Sequence, residues 1–132
     1  MNKNYLKKIL IRIFLRYGLN EHHSKICSEA LINAELVGAY GHGLSRLRMY
    51  CDRIRKKVIN PKPKIKIRNI SSSISHIDAN NSIGFVAADL GIKTAIKHAQ
   101  KTGIGMVAIK NSGHYGLSGY YAEQAVKKNY II

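Results

Sequence analysis

The sequence predicts an α/β fold: a helical N-terminal layer, then the first strands and helices of a mixed-sheet α/β domain. Three observations predict it. Apolar residues recur at helical spacing up to a break at Asn60-Pro61-Lys62-Pro63. Beyond the break, short β-branched runs flank one long amphipathic stretch, the strand–helix–strand order of an α/β segment. The last such run, residues 104–109, leads into a glycine-rich turn at 111–116 that frames a single imidazole, His114. A strand, a glycine-rich loop and a helix together place ligands at the carboxyl end of a parallel sheet. The 132 residues are read as one domain, helical over 1–60 and α/β over 61–132. The closing run Tyr130-Ile131-Ile132 reads as the start of another strand, so the domain is expected to be incomplete.

Each element has a local cause. Leu6, Ile9, Leu10, Ile13, Phe14 and Tyr17 share one helical face, and Gly18 stands where a glycine stops a helix. Asn20 is an N-cap for a second helix, with Glu21 in its first turn and an apolar face through Ile26, Ala30, Ala34 and Val37. A third helix is expected to follow His42, carrying Leu44, Leu47, Met49, Tyr50 and Ile54. Ile65 and Ile67 alternate with lysines in a half-exposed strand. Ile74 and Ile77 mark a second strand, with Asp78-Ala79-Asn80-Asn81 as the following turn. Residues 83–100 form the clearest helix, with Ala88, Ile92, Ala95, Ile96 and Ala99 as its buried stripe and Gly103 as its end. Helical spacing resumes at 120–126.

Composition narrows the function. With 45% hydrophobic residues the chain is not disordered by composition. The net charge of +15 suits a polyanionic partner, yet it is dispersed, with many lysines set among Ile and Asn. A nucleic-acid-binding module is therefore the least favoured reading. Cys27 and Cys51 show no paired spacing, which fits a reducing compartment. Lys7-Lys8 precede an apolar run, but Arg12 and Arg16 interrupt it and no small-residue cleavage site follows. Nothing approaches the ~20 uninterrupted apolar residues of a membrane span. A soluble cytoplasmic protein is expected.

Two histidines stand apart from the other four. His22, His23, His76 and His98 read as structural or solvated, and no ligand spacing predicts a metal site. Gly103-Ile104-Gly105 precedes its strand, so it is no dinucleotide fingerprint, and Ser112 lacks the frame of a nucleophile elbow. His114 and His42 are both framed by glycines, which let backbone and ligand approach closely. Arg46 follows His42 at i+4, so on a helix beginning there imidazole and guanidinium share a face. An acid–base imidazole beside an arginine that forks a carboxylate is what reduction of a 2-oxo acid requires. A helix cap with a surface arginine explains the same spacing equally well.

The run Glu35-Leu-Val-Gly-Ala-Tyr-Gly-His-Gly-Leu-Ser-Arg46, then Tyr50, resembles the Arg-Gly-x-x-Ser-His-Gly-x-x-Arg signature of the malate/L-lactate dehydrogenase family. That non-Rossmann family includes ureidoglycolate dehydrogenase and diketogulonate reductase. Asn60-Pro61, the stretch 77–84 and Asn111-Ser112-Gly113-His114-Tyr115-Gly116 follow in the family's order. Val37 stands where the family has Arg, and Gly41 where it has Ser. The resemblance implies reversible oxidation of a 2-hydroxy acid to its 2-oxo acid with NAD or NADP, in a homodimer. It assigns His114 as acid/base, His42 as a second proton donor and Arg46 to the substrate. Family members are more than twice this length, so the chain is expected to be an N-terminal part. A dehydrogenase fragment, a truncated inactive remnant and a basic nucleic-acid-binding module remain the three readings. His42 and His114 are expected to converge.

Overall fold

The computed structural model describes residues 2–132. α1 (Lys3–Arg16) and α2 (Glu21–Leu36) pack on each other. Asn2 caps α1 through its side chain, and Asn20 caps α2 by accepting from the N–H of His23 at 2.8 Å. Gly18 adopts φ +92° between them, the left-handed turn that only glycine enters without strain. Leu10 and Phe14 are buried, and each is worth roughly 1.5–3 kcal/mol when withdrawn from water. They join Cys27, Leu31, Tyr50, Ile54 and Phe85 in one apolar cluster, which spans the helical and the α/β segments.

The third helix starts later than the periodicity implies. Two 3-10 turns, Tyr40–His42 and Leu44–Arg46, precede α3 (Leu47–Arg55). Gly43, at φ −94° and ψ −138°, breaks the ladder between them. His42 and Arg46 therefore do not sit one α-helical turn apart on a shared helix.

The sheet is mixed and three-stranded among the described residues. β1 (Lys66–Asn69) runs antiparallel to β2 (Ile74–Ser82), and β2 runs parallel to β3 (Met106–Ser112). The crossover between the parallel pair is α4 (Gly84–Thr102), which ends at Gly103 with φ +82°. β1 is exposed along its length rather than half-buried. Residues 130–132 form no strand; the chain ends after α5 (Ser118–Val126) without further regular structure.

The expected turn at 78–81 lies inside β2. Asp78 pairs with Lys110 and Ser82 with Ser112, so β2 carries Ala79, Asn80 and Asn81 where β3 carries Asn111 alone. Asn80, Asn81 and Asn111 all adopt positive φ. Asparagine tolerates that region, so turn-type residues here build a bulge in a continuing strand. The proline segment is tied to the bulge: the Asn60 N–H donates to the Asn81 carbonyl at 2.8 Å, and the Lys64 N–H to Asn80 Oδ1 at 3.0 Å.

At the carboxyl end of β2 and β3 two backbone segments approach closely. A Cβ on Gly84 would overlap the backbone of Gly113 and His114, and one on Gly116, at φ +81°, would strike the Phe85 ring. The first turn of α4 thus seats the His114 loop. Gly84→Ala is expected to cost about 1–3 kcal/mol of stability, measured by urea unfolding, because two backbones rather than a flexible side chain must move.

Candidate active site

His42 and His114 meet where the helical layer touches the end of the parallel strands. Their rings are stacked, with centroids 5.7 Å apart and planes within 6°. His114 is carried by the loop after β3 and is exposed, while one edge of its ring faces inward. On that edge Nδ1 lies 2.8 Å from Tyr50 Oη and accepts from the Gly116 N–H at 3.2 Å. The loop is fixed again where Tyr121 Oη donates to the Tyr115 carbonyl at 2.8 Å. Tyr50 is fully buried and packs on Phe85, with ring centroids 4.8 Å apart.

His42 is half-buried, and its Nδ1 is shielded from solvent without a hydrogen-bond partner. An unpaired buried nitrogen is costly, and most buried polar atoms find a hydrogen-bond partner. Glu35 of α2 holds the turn that carries this ring: its Oε1 accepts from the Leu44 N–H at 2.6 Å. A Cβ on Gly43 would collide with the Glu35 carboxylate, so glycine is needed there for that grip. Ser82 Oγ, at the end of β2 just before the Gly84 contact, is a second buried polar atom without a partner.

Arg46 is exposed, and its Nε donates to the Gly41 carbonyl at 2.7 Å. Its position relative to His42 comes from this bond across the 3-10 turns, not from α-helical spacing. Arg46 still faces the histidine pair electrostatically. Desolvation, followed by the neighbouring His42, Arg46 and Arg53, pushes the His114 pKa below its ordinary 6.5. Burial holds the Tyr50 phenol far above its ordinary value, so it keeps its proton. The site is thus a neutral-leaning imidazole on a buried hydroxyl, stacked on a second imidazole, with two guanidinium groups nearby.

The sequence singled out His42, His114 and Arg46, and the fold brings them into one region. Tyr50 and Glu35 were visible beside those residues but had no assigned task; their contacts depend on tertiary structure. Among the described residues no group of three His, Cys, Asp or Glu side chains is placed to hold a metal ion. Among the described residues no helix is long and apolar enough to cross a membrane. His98 instead meets Ser75, with Nε2 2.6 Å from its buried Oγ, in a structural contact on the far part of α4.

A stacked histidine pair at the end of parallel strands, braced by a helical layer, is set in an α/β fold. This chain belongs to the malate/L-lactate dehydrogenase family, which it matches over residues 1–132. It is 40% identical over 129 residues to a malate dehydrogenase of Pyrococcus abyssi, covering 98% of this chain and 36% of that protein. It is 30% identical over 131 residues to the ureidoglycolate dehydrogenase (NAD(+)) of Escherichia coli strain K12, covering 99% and 38%. Among solved structures, the sulfolactate dehydrogenase of Methanocaldococcus jannaschii superposes with a TM-score of 0.94 at 33% identity, covering 98% of this chain and 38% of that one. The chain thus spans a little over a third of the length of these relatives.

Two measurements check the geometry. The folded His114 ring holds a proton more weakly than the unfolded one, so its contribution is full above about pH 6.5 and is lost as pH falls through the lowered folded value. His23, also lowered by burial, acts in the same direction. Urea midpoints taken from about pH 7.5 down to about 5.5 should fall, and less steeply in His114→Gln. A Cβ on Gly41 meets nothing within 4 Å. Gly41→Ser, which restores the family's residue, should therefore leave stability within about 0.5 kcal/mol of the parent in the same assay.

Proposed function

We propose that these residues form the proton-handling and carboxylate-binding part of an NAD- or NADP-dependent dehydrogenase that interconverts a 2-hydroxy acid and its 2-oxo acid. The stacked His42–His114 pair, with its unpartnered His42 nitrogen, carries this reading. In the oxidative direction His114 takes the proton of the substrate hydroxyl; in the reductive direction it returns that proton to the carbonyl oxygen. A lowered imidazole pKa suits the base, because the ring is mostly neutral at pH 7. Arg46 pairs with the substrate carboxylate through its guanidinium fork. His42 supplies a second proton donor to the substrate.

The proposal puts the cofactor beside the His114 loop. Ser112, Gly113, Tyr115 and Ser118 line a mainly apolar cleft of about 610 Å³ beside the His114 loop. The first turn of α5 opens there without a side-chain cap, so its N–H groups suit an anionic or carbonyl group. When bound, the nicotinamide supplies the hydride exchange at the substrate carbon. This chain's residues hold the proton and orient the acid. The working protein is taken to be a homodimer that acts on small 2-hydroxy and 2-oxo acids, with neither nucleic acid nor membrane as partner.

A 2-oxo acid panel tests the reading. Imidazole NMR signals of His42 and His114 should move on titration, and Arg46→Ala should weaken the effect at least tenfold. No movement with any acid of the panel overturns the assignment. The isolated 132-residue chain should show no measurable NADH oxidation with the same acids. Hydride transfer needs the nicotinamide held against the substrate carbon, and a misplacement of ~1 Å costs ~100-fold in rate.

A further inference from the structure

Tyr50 is the most deeply buried member of the site, and the chemistry above leaves it without a task. Its Oη is one of two groups on Nδ1 of His114; the other is the Gly116 N–H. A backbone N–H only donates. In the neutral ring Nδ1 therefore offers its lone pair, and the ring proton resides on Nε2. Gly116 favours this tautomer and no other. A phenol both donates and accepts, so Tyr50 serves Nδ1 in either protonation state.

We propose that Tyr50 is the positioning residue of His114: its hydroxyl donates to Nδ1 of the neutral imidazole and turns to accept from Nδ1–H of the imidazolium, which presents Nε2 to the reacting oxygen. The inference rests on the acid–base role of His114 and deepens it. The protons balance. When the imidazolium passes its Nε2 proton to a carbonyl oxygen, that N–H bond breaks, an O–H bond forms, and the remaining proton stays on Nδ1. The reverse step, in which Nε2 takes the hydroxyl proton, starts from this same Nδ1–H ring with Tyr50 as acceptor, not from the Nε2–H tautomer that rests on Gly116. Tyr50 Oη is the acceptor within reach of Nδ1 among the described residues, whereas the Gly116 N–H opposes that proton. Without the phenol, the state formed by proton transfer would hold two hydrogens against each other. The other ionisable groups that face His114 are His42 from the first 3-10 turn, Arg46 from the second and Arg53 from α3. Cys27 of α2 faces Tyr50 as a buried thiol whose pKa is raised by desolvation. None of these replaces the Tyr50 acceptor.

Tyr50→Phe isolates the hydroxyl, since the phenyl ring keeps the packing on Phe85. Long-range proton–nitrogen NMR on the nitrogen-15-labelled chain reads both the tautomer and the titration of His114. Neither reading needs substrate or cofactor, so the outcome stands apart from the 2-oxo acid titration. The parent should show the Nε2–H tautomer above its midpoint. Tyr50→Phe should lower that midpoint by about one pH unit, because a charge-assisted bond to the imidazolium is lost while Gly116 still serves the neutral ring. A change of packing alone would not move the midpoint in this way. An Nδ1–H tautomer in the parent overturns the proposal, as does a midpoint unchanged or raised in Tyr50→Phe. The parent tautomer needs no variant, so an Nδ1–H ring there overturns the proposal even where the substituted chain fails to fold.

Discussion

The contact of Gly84 with the backbone of Gly113 and His114 is the constraint on which the rest of the site depends. A helix start normally holds its neighbours at the distance of a side chain. Here the crossover helix presents bare Cα, and the loop after β3 settles against it. Phe85, one residue on, supplies the apolar floor beneath Gly116 and the face on which Tyr50 packs. The same first turn of α4 therefore sets the height of the His114 loop and the position of the hydroxyl that meets its ring.

The other half of the site arrives from a different layer. α2 reaches it through Glu35, and α3 through Tyr50. Side chains from two layers are thus brought into register by side-chain hydrogen bonds and close packing, not by ion pairs. That choice matters in a chain with net charge +15. Surface ion pairs such as Lys25–Glu21 and Lys127–Glu123 contribute little and weaken in salt. The part-buried hydroxyl–imidazole bond joins two neutral groups, so salt screens it less than an exposed ion pair. The surplus cationic groups instead act at a distance, through Arg46 and Arg53, to favour the neutral form of His114.

Much of the fold was legible because its signals are local. The asparagine cap of α2, the glycine ends of α1 and α4 and the stripe through Ile92 and Ile96 are read within a few residues of chain. The misreadings share a cause: one residue type serves two local structures. Asn80-Asn81 accepts positive φ in a turn and in a bulge, and only pairing with β3 distinguishes them. The stretch 40–46 has helical spacing, but Gly43 divides it into two 3-10 turns because Glu35 occupies the space beside it. In the site, glycine framing marked His42 and His114, since a close backbone approach needs residues without Cβ. Tyr50 carried no such mark; on a helix an aromatic residue at that spacing reads as core, and it is core as well as site.

The grip of Glu35 on the 3-10 turns has an evolutionary consequence. Positions 35 and 43 are not free to drift one at a time. Any side chain at 43 meets the Glu35 carboxylate, and a shorter acid at 35 no longer reaches the Leu44 N–H. A lineage that changes one must first pass through a loosened His42 turn or change both together. The pair is thus a ratchet on divergence, holding the imidazole in place through a residue that never touches it.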